Sequence, residues 1–160
     1  MKTYFETQPD RVTPAEIVLF RQVQSAVQQL PDHVVLGKGP DGQVVLSCHI
    51  LARAVARVFG LKCVDGFFHP NFEHSWLLTV GGNVIDVYPV GMLGGPILSD
   101  RIHQSLDAAL LRRHGRLALG LYIPSSARSI SRGRFTKPWF RRAVAIMERH
   151  LRTTTLKLAA

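Results

Sequence analysis

Ser47-Cys48-His49-Ile50-Leu51-Ala52-Arg53-Ala54-Val55-Ala56-Arg57-Val58-Phe59-Gly60 is the stretch on which the reading of this chain turns. Leu51, Val55, Val58 and Phe59 recur at helical spacing, and Gly60 is a stop signal, so Cys48 heads an amphipathic helix. A helix N-terminus carries unpaired N–H groups and partial positive charge, both of which favour a thiolate over a thiol. His49 follows directly and projects about 100° away around the helix. It is therefore a poor partner for Cys48, although it can line a cleft.

Two further residues complete a possible nucleophilic site. His74 begins the apolar strand Ser75-Trp76-Leu77-Leu78-Thr79-Val80, and Asp86 lies in the next one, Asn83-Val84-Ile85-Asp86-Val87-Tyr88. An imidazole can take a thiol proton, and a carboxylate can orient that imidazole. A carboxylate among Val84, Ile85 and Val87 is costly to bury unless paired, so Asp86 needs a partner. The register raises a difficulty. With Gly81-Gly82 as a two-residue turn, Val80 faces Asn83 and Asp86 faces Leu77, three positions from His74. A longer loop or a bulge is needed to join the pair. Asp65, on the preceding strand, is the rival partner. The backbone N–H of Cys48 and the side-chain amide of Gln43 are candidate oxyanion donors. Trp76, two residues after His74, joins His49 as a candidate cleft-lining residue.

Cys63 sits in the apolar run Cys63-Val64-Asp65-Gly66-Phe67-Phe68 and reads as a core residue. The alternative for Cys48 is the same, a small buried hydrophobe, and for His74 a structural histidine. Cys48, His49, Cys63, His69, Glu73 and His74 lack zinc-ligand spacing, so no metal is expected. Gly37-Lys38-Gly39 lacks a phosphate-loop or dinucleotide fingerprint.

Outward from this centre, Thr13, Pro14 and Glu16 predict a capping box for a helix carrying Ile17, Phe20, Val23, Val27 and Leu30. Residues 63–68, 76–80 and 84–88 predict an antiparallel meander. Ser99 is a candidate cap for a helix bearing Ile102, Leu106, Leu110 and Leu111. Leu117 to Ile123 suggests another strand. Ser125 to Lys137 reads as a basic connector, and a last helix from Pro138 shows Phe140, Val144, Met147 and Leu151 on one face. Its tail from Thr153 is expected to fray. The order gives an α+β fold and a single domain over 1–160, with a core at 12–123 and a basic connector and C-terminal helix at 124–160.

The 160 residues are 46% hydrophobic and 19% charged, which argues for a packed globule rather than a disordered chain. No apolar run reaches the length of a membrane span, and the N-terminus does not resemble a signal peptide. Two cysteines make no disulfide framework, so the expected compartment is the cytoplasm with free thiols. The net charge of +9 is uneven: residues 101–160 carry thirteen basic and two acidic side chains. With Phe135, Trp139 and Phe140 interleaved, this region supports a rival reading, a non-catalytic basic module for nucleic acid or an acidic partner. The plainer reading is a solubilising face over ordinary core aromatics.

Leu46-Ser47-Cys48-His49, Val58-Phe59-Gly60-Leu61, Glu73-His74-Ser75-Trp76 and Gly82-Asn83-Val84-Ile85-Asp86 together resemble the transglutaminase-like branch of papain-fold cysteine enzymes. The short interval from His74 to Asp86 is most similar to small bacterial members, including lasso-peptide leader peptidases. The resemblance covers about residues 44–90. It implies a nucleophile helix packed on a small antiparallel sheet with flanking helices. It also implies Cys48 as nucleophile, His74 as general base and acid, and Asp86 as its orienter. The implied activity is acyl transfer from a peptide or protein amide (hydrolysis, deamidation or transamidation) with no cofactor. Ser75 stands where alanine is commoner, His49 follows the nucleophile, and the basic C-terminal third has no counterpart.

Overall fold

A computed structural model describes residues 5–6, 12–30, 48–68, 72–87, 96–99, 122–124 and 133–159. In chain order these form β1 (Phe5–Glu6), α1 (Pro14–Gln28), α2 (Cys48–Phe59), β2 (Lys62–Phe68), β3 (Phe72–Leu78), β4 (Val84–Asp86), β5 (Ile97–Ser99), β6 (Tyr122–Pro124), α3 (Gly133–Thr136) and α4 (Pro138–Ala159). The fold is α+β. No helix among the described residues is long and apolar enough to cross a membrane. Gln43, the expected helix over Ile102–Leu111 and most of the basic connector lie outside the described residues.

The capping box of α1 forms as its sequence predicts. Glu16 N–H donates to Thr13 Oγ1 (3.2 Å), and Thr13 N–H donates to Glu16 Oε2 (2.8 Å). Helix α2 spans the expected residues and ends on Gly60 at φ +67°, with Leu61 N–H closing on the Ala56 carbonyl at 2.9 Å. This is the glycine-dependent helix stop. The helix is not simply amphipathic, however. Cys48 to Ala52 and Ala54 to Ala56 are all buried, because the sheet lies against one side and α4 against another. Small residues (Ala52, Ala54, Ala56) let neighbours approach closely.

The expected small antiparallel sheet is present, extended by short edge strands. Its order is β1-β5-β4-β3-β2-β6, antiparallel throughout except for the parallel β1–β5 edge pair. Ser99, expected to cap a helix, instead pairs with Val84 and Glu6. The meander β2-β3-β4 is as predicted, but its hairpin is not. Leu77 pairs with Ile85 and Leu78 with Val84, so the loop is the three residues Val80, Gly81 and Gly82. Gly82 N–H bonds the Thr79 carbonyl (3.0 Å), Thr79 N–H bonds the Asn83 carbonyl (2.9 Å), and Gly82 sits at φ +81°. A turn followed by a left-handed residue is the usual three-residue hairpin.

Helix α1 holds that loop. Glu16 accepts from the Thr79 hydroxyl and from Asn83 Nδ2, which lies 3.1 Å from both carboxylate oxygens. A β-carbon on Gly81 would stand 2.6 Å from Glu16 Oε1, so the close approach requires glycine there. Burial raises the Glu16 pKa, but hydrogen bonds from Thr79, Thr13 and Asn83 outweigh it and hold the carboxyl below its ordinary value of 4.5. A depressed carboxylate stabilises fully above its unfolded pKa and loses that contribution as pH falls through the folded one. Glu16→Gln is expected to lose roughly 1.5–3 kcal/mol at pH 7. The wild-type advantage should shrink below pH 4.5, as read by urea denaturation at pH 7 and pH 3.5.

One apolar core joins Phe20, Val23 and Val27 of α1, Leu51 and Val55 of α2, Leu77, Ile85 and Leu98 of the sheet, and Phe140, Val144, Met147 and Leu151 of α4. The C-terminal helix is thus part of the core, with the predicted face turned inward. Its tail does not fray at Thr153. Thr153, Thr154 and Thr155 donate their hydroxyls to the carbonyls four residues back at 2.8–3.0 Å, and the helix continues to Ala159.

Candidate active site

Strand alternation and the three-residue loop place the candidate triad. The register continues from Leu77↔Ile85 to set Asp86 opposite Trp76, on the face that also carries His74 two residues further along. His74 Nε2 and Asp86 Oδ2 lie 2.7 Å apart, with both side chains buried. Thr79 to Asn83 therefore supplies the longer loop that this pairing needs. Asp65, the rival, is engaged elsewhere: it receives both Arg53 Nη2 contacts (2.9 and 2.7 Å) and the Ser75 hydroxyl (2.6 Å).

Cys48 reaches His74 from the first residue of α2. Cys48 sits close enough to His74 for its side chain to help raise the imidazole's pKa. Burial alone would lower the His74 pKa. The Asp86 charge and hydrogen bond, with smaller contributions from Cys48, reverse this and raise it to about 10. His74 is thus a strong proton acceptor held in place by a carboxylate.

The two cysteines differ in surroundings. Cys48 is 2% exposed at a helix start beside an imidazole. Cys63, on β2, packs against the core, and burial pushes its thiol up to about 12. It is an inert core thiol, as its sequence setting suggests.

His49 and Trp76 do not line an open cleft. Trp76 is fully buried in a small cluster with Val84, its ring 6.3 Å from that of His74. His49 is buried, with Nδ1 2.6 Å from Ser75 Oγ and its ring 5.1 Å from that of Phe135. Burial, then the charges of Arg134 and Arg53, bring its pKa down to about 4, so it is neutral near pH 7. Both residues are internal because β3 is a central strand and α2 is covered by α3 and α4.

The sequence reading missed Arg53 as a hub. Its guanidinium spans Asp65, the Ser75 hydroxyl (3.3 Å) and the His49 carbonyl (3.1 Å), and lies 3.8 Å over the Phe135 ring. The only sequence signal was an arginine five residues after the nucleophile on a helix whose other faces are apolar. No group of three or more metal-ligating side chains occurs among the described residues. No family model matches this chain, and neither a curated protein nor a solved structure matches it.

Proposed function

We propose that this protein is a cysteine-dependent acyl-transfer enzyme acting on a peptide or protein amide through Cys48, His74 and Asp86. The observation that carries the reading is the 2.7 Å His74 Nε2–Asp86 Oδ2 contact, on an imidazole that Cys48 also neighbours. In the proposed cycle His74 already holds the Cys48 proton as an imidazolium, and the Sγ thiolate attacks the carbonyl carbon. The free N–H groups in the first turn of α2 are donors for the oxyanion that forms. Collapse of the tetrahedral intermediate breaks the C–N bond, and the imidazolium gives its proton to the departing amine. Water or an amine then attacks the thioester, loses a proton to His74, and returns the sulfur to Cys48. The resemblance to transglutaminase-like enzymes of the papain fold supports the same three roles.

The basic-module reading draws on Arg141, Arg142, Arg149 and Arg152, which are exposed. Its aromatic partners are committed elsewhere: Phe140 is buried in the core and Phe135 stacks on Arg53. Arg152 and Arg57 also pair with Glu148. The acyl-transfer reading is therefore the one we adopt.

A small alkylating probe tests it. Iodoacetamide at pH 7 is expected to modify Cys48 at least tenfold faster than Cys63, with site occupancy read by peptide mass spectrometry. His74→Ala should remove the difference, and because that variant removes bulk beside the sulfur rather than adding it, added burial cannot mimic the effect. Equal slow labelling of both thiols in the wild type would sink the proposal.

A further inference from the structure

We infer that His49, Arg53, Asp65 and Ser75 form a positioning network that fixes the spacing of Cys48 and His74, an inference that rests on the acyl-transfer reading above. Cys48 and His49 are consecutive on α2, and His74 and Ser75 are consecutive on β3. The pair that would react therefore has a second pair beside it, and that second pair is bonded: His49 Nδ1 to Ser75 Oγ at 2.6 Å.

The network has one consistent proton arrangement. Ser75 gives its hydroxyl proton to Asp65 Oδ1 at 2.6 Å, so its oxygen accepts from His49 Nδ1–H and from Arg53 Nη1. Arg53 Nη1 also holds the His49 carbonyl, which ties the first turn of α2 to the same oxygen. Its Nη2 grips both oxygens of Asp65, opposite Ser75 in the β2–β3 register. The bonds of His49 and Arg53 to Ser75 and Asp65 thus tie the nucleophile's helix to the base's strand and to the strand beside it. Planar guanidinium bonds of this kind constrain direction as well as distance.

Helix α3 closes the network. Phe135 lies over Arg53 at 3.8 Å and meets the His49 ring, while Arg134 forms an ion pair with Glu73, the residue before His74. One face of the network is thereby covered by a ring rather than by water, which strengthens its electrostatic contacts. The bonds described join these residues to one another rather than to the attacking sulfur or the imidazole, so they act through position. A catalytic pair must be held to about 0.5 Å, and a misplacement of about 1 Å costs up to 100-fold.

Three variants test this. Ser75→Ala removes the shared oxygen; His49→Phe keeps the ring's bulk without a donor; His49→Gln keeps a donor able to reach Ser75. Ser75→Ala and His49→Phe are expected to slow Cys48 alkylation at pH 7 by roughly 10- to 100-fold. They should also alter its pH profile, whereas His49→Gln should stay close to the wild-type rate and profile. A purely structural role would lower the melting temperature of Ser75→Ala and His49→Phe while leaving the Cys48 rate and pH profile unchanged, and that result would overturn the inference. Equal loss in His49→Gln and His49→Phe would overturn the role of the donor. Should Ser75→Ala fail to fold, the His49 pair carries the test. The wild-type dependence of Cys48 labelling on His74 separates the two claims. Its absence defeats the acyl-transfer reading, whereas its presence together with unperturbed Ser75→Ala and His49→Phe defeats only the network.

Discussion

Replacing Asp86 by asparagine is expected to bring the His74 pKa from about 10 to below its ordinary value of 6.5. The Asp86 charge and hydrogen bond are the main influences that oppose burial, and an amide supplies no charge. The sign of the linkage follows. A histidine whose pKa rises on folding stabilises the protein fully below pH 6.5, and the contribution is lost as pH climbs toward 10. The wild type should therefore lose stability across that interval in urea titrations, and Asp86→Asn should not show the loss. Activity should suffer more than stability. With an amide as partner, His74 can take the wrong tautomer, and turnover at pH 7 should fall on the order of 10³- to 10⁴-fold. Imidazole nitrogen shifts measured by NMR against pH would read the pKa directly. A His74 pKa still near its wild-type value in Asp86→Asn would refute the assignment.

Deleting Gly81 is expected to abolish the site without touching any of its residues. The loop of Val80, Gly81 and Gly82 sets the pairing Leu77↔Ile85 and places Asp86 beside His74. With Gly81 gone, a three-residue loop re-forms only by taking in Asn83, so Thr79 pairs with Val84, and this one-residue slip turns every side chain of β4 to the opposite face. Asp86 would then stand opposite Leu77, facing the main core, as an unpaired carboxylate. Leaving a buried charge without its partner costs about 3–5 kcal/mol, so the melting temperature should drop with the reactivity of Cys48. Gly82→Ala is the control. It strains a residue at φ +81° by about 1 kcal/mol but keeps the loop length, so the Cys48 alkylation rate should survive. Wild-type alkylation in the Gly81 deletion would refute the slip and show that the loop contracts to Val80-Gly82 with the register kept.

That hairpin also marks where the sequence stopped being legible. The capping box at Thr13, the span of α2 and the inward face of α4 were all readable, because each is written in residues close along the chain. Cys48, His74 and Asp86 were readable as candidates for the same reason. Their register was not: Gly81-Gly82 looks like a complete two-residue turn, and only the Glu16 contacts with Thr79 and Asn83 show Val80 to be part of the loop. Strands β1 and β5 span two or three residues and no local pattern announces them, whereas β6 falls at the end of the strand expected over Leu117 to Ile123. Arg53 escaped notice because an arginine on a helix normally faces water. Here Asp65, Ser75 and Phe135, drawn from three separate elements, make an interior place for it.

His74 and Asp86 stand 12 positions apart on a single hairpin, whereas the bond from His49 to Ser75 spans 26. Closing the shorter span carries the smaller entropic penalty, by about 0.6 kcal/mol per doubling of length, and strand pairing across one hairpin is a local event. Loop closure thus favours pairing of the imidazole with its anionic neighbour ahead of docking by the sulfur-bearing helix, an order that prepares the proton acceptor first.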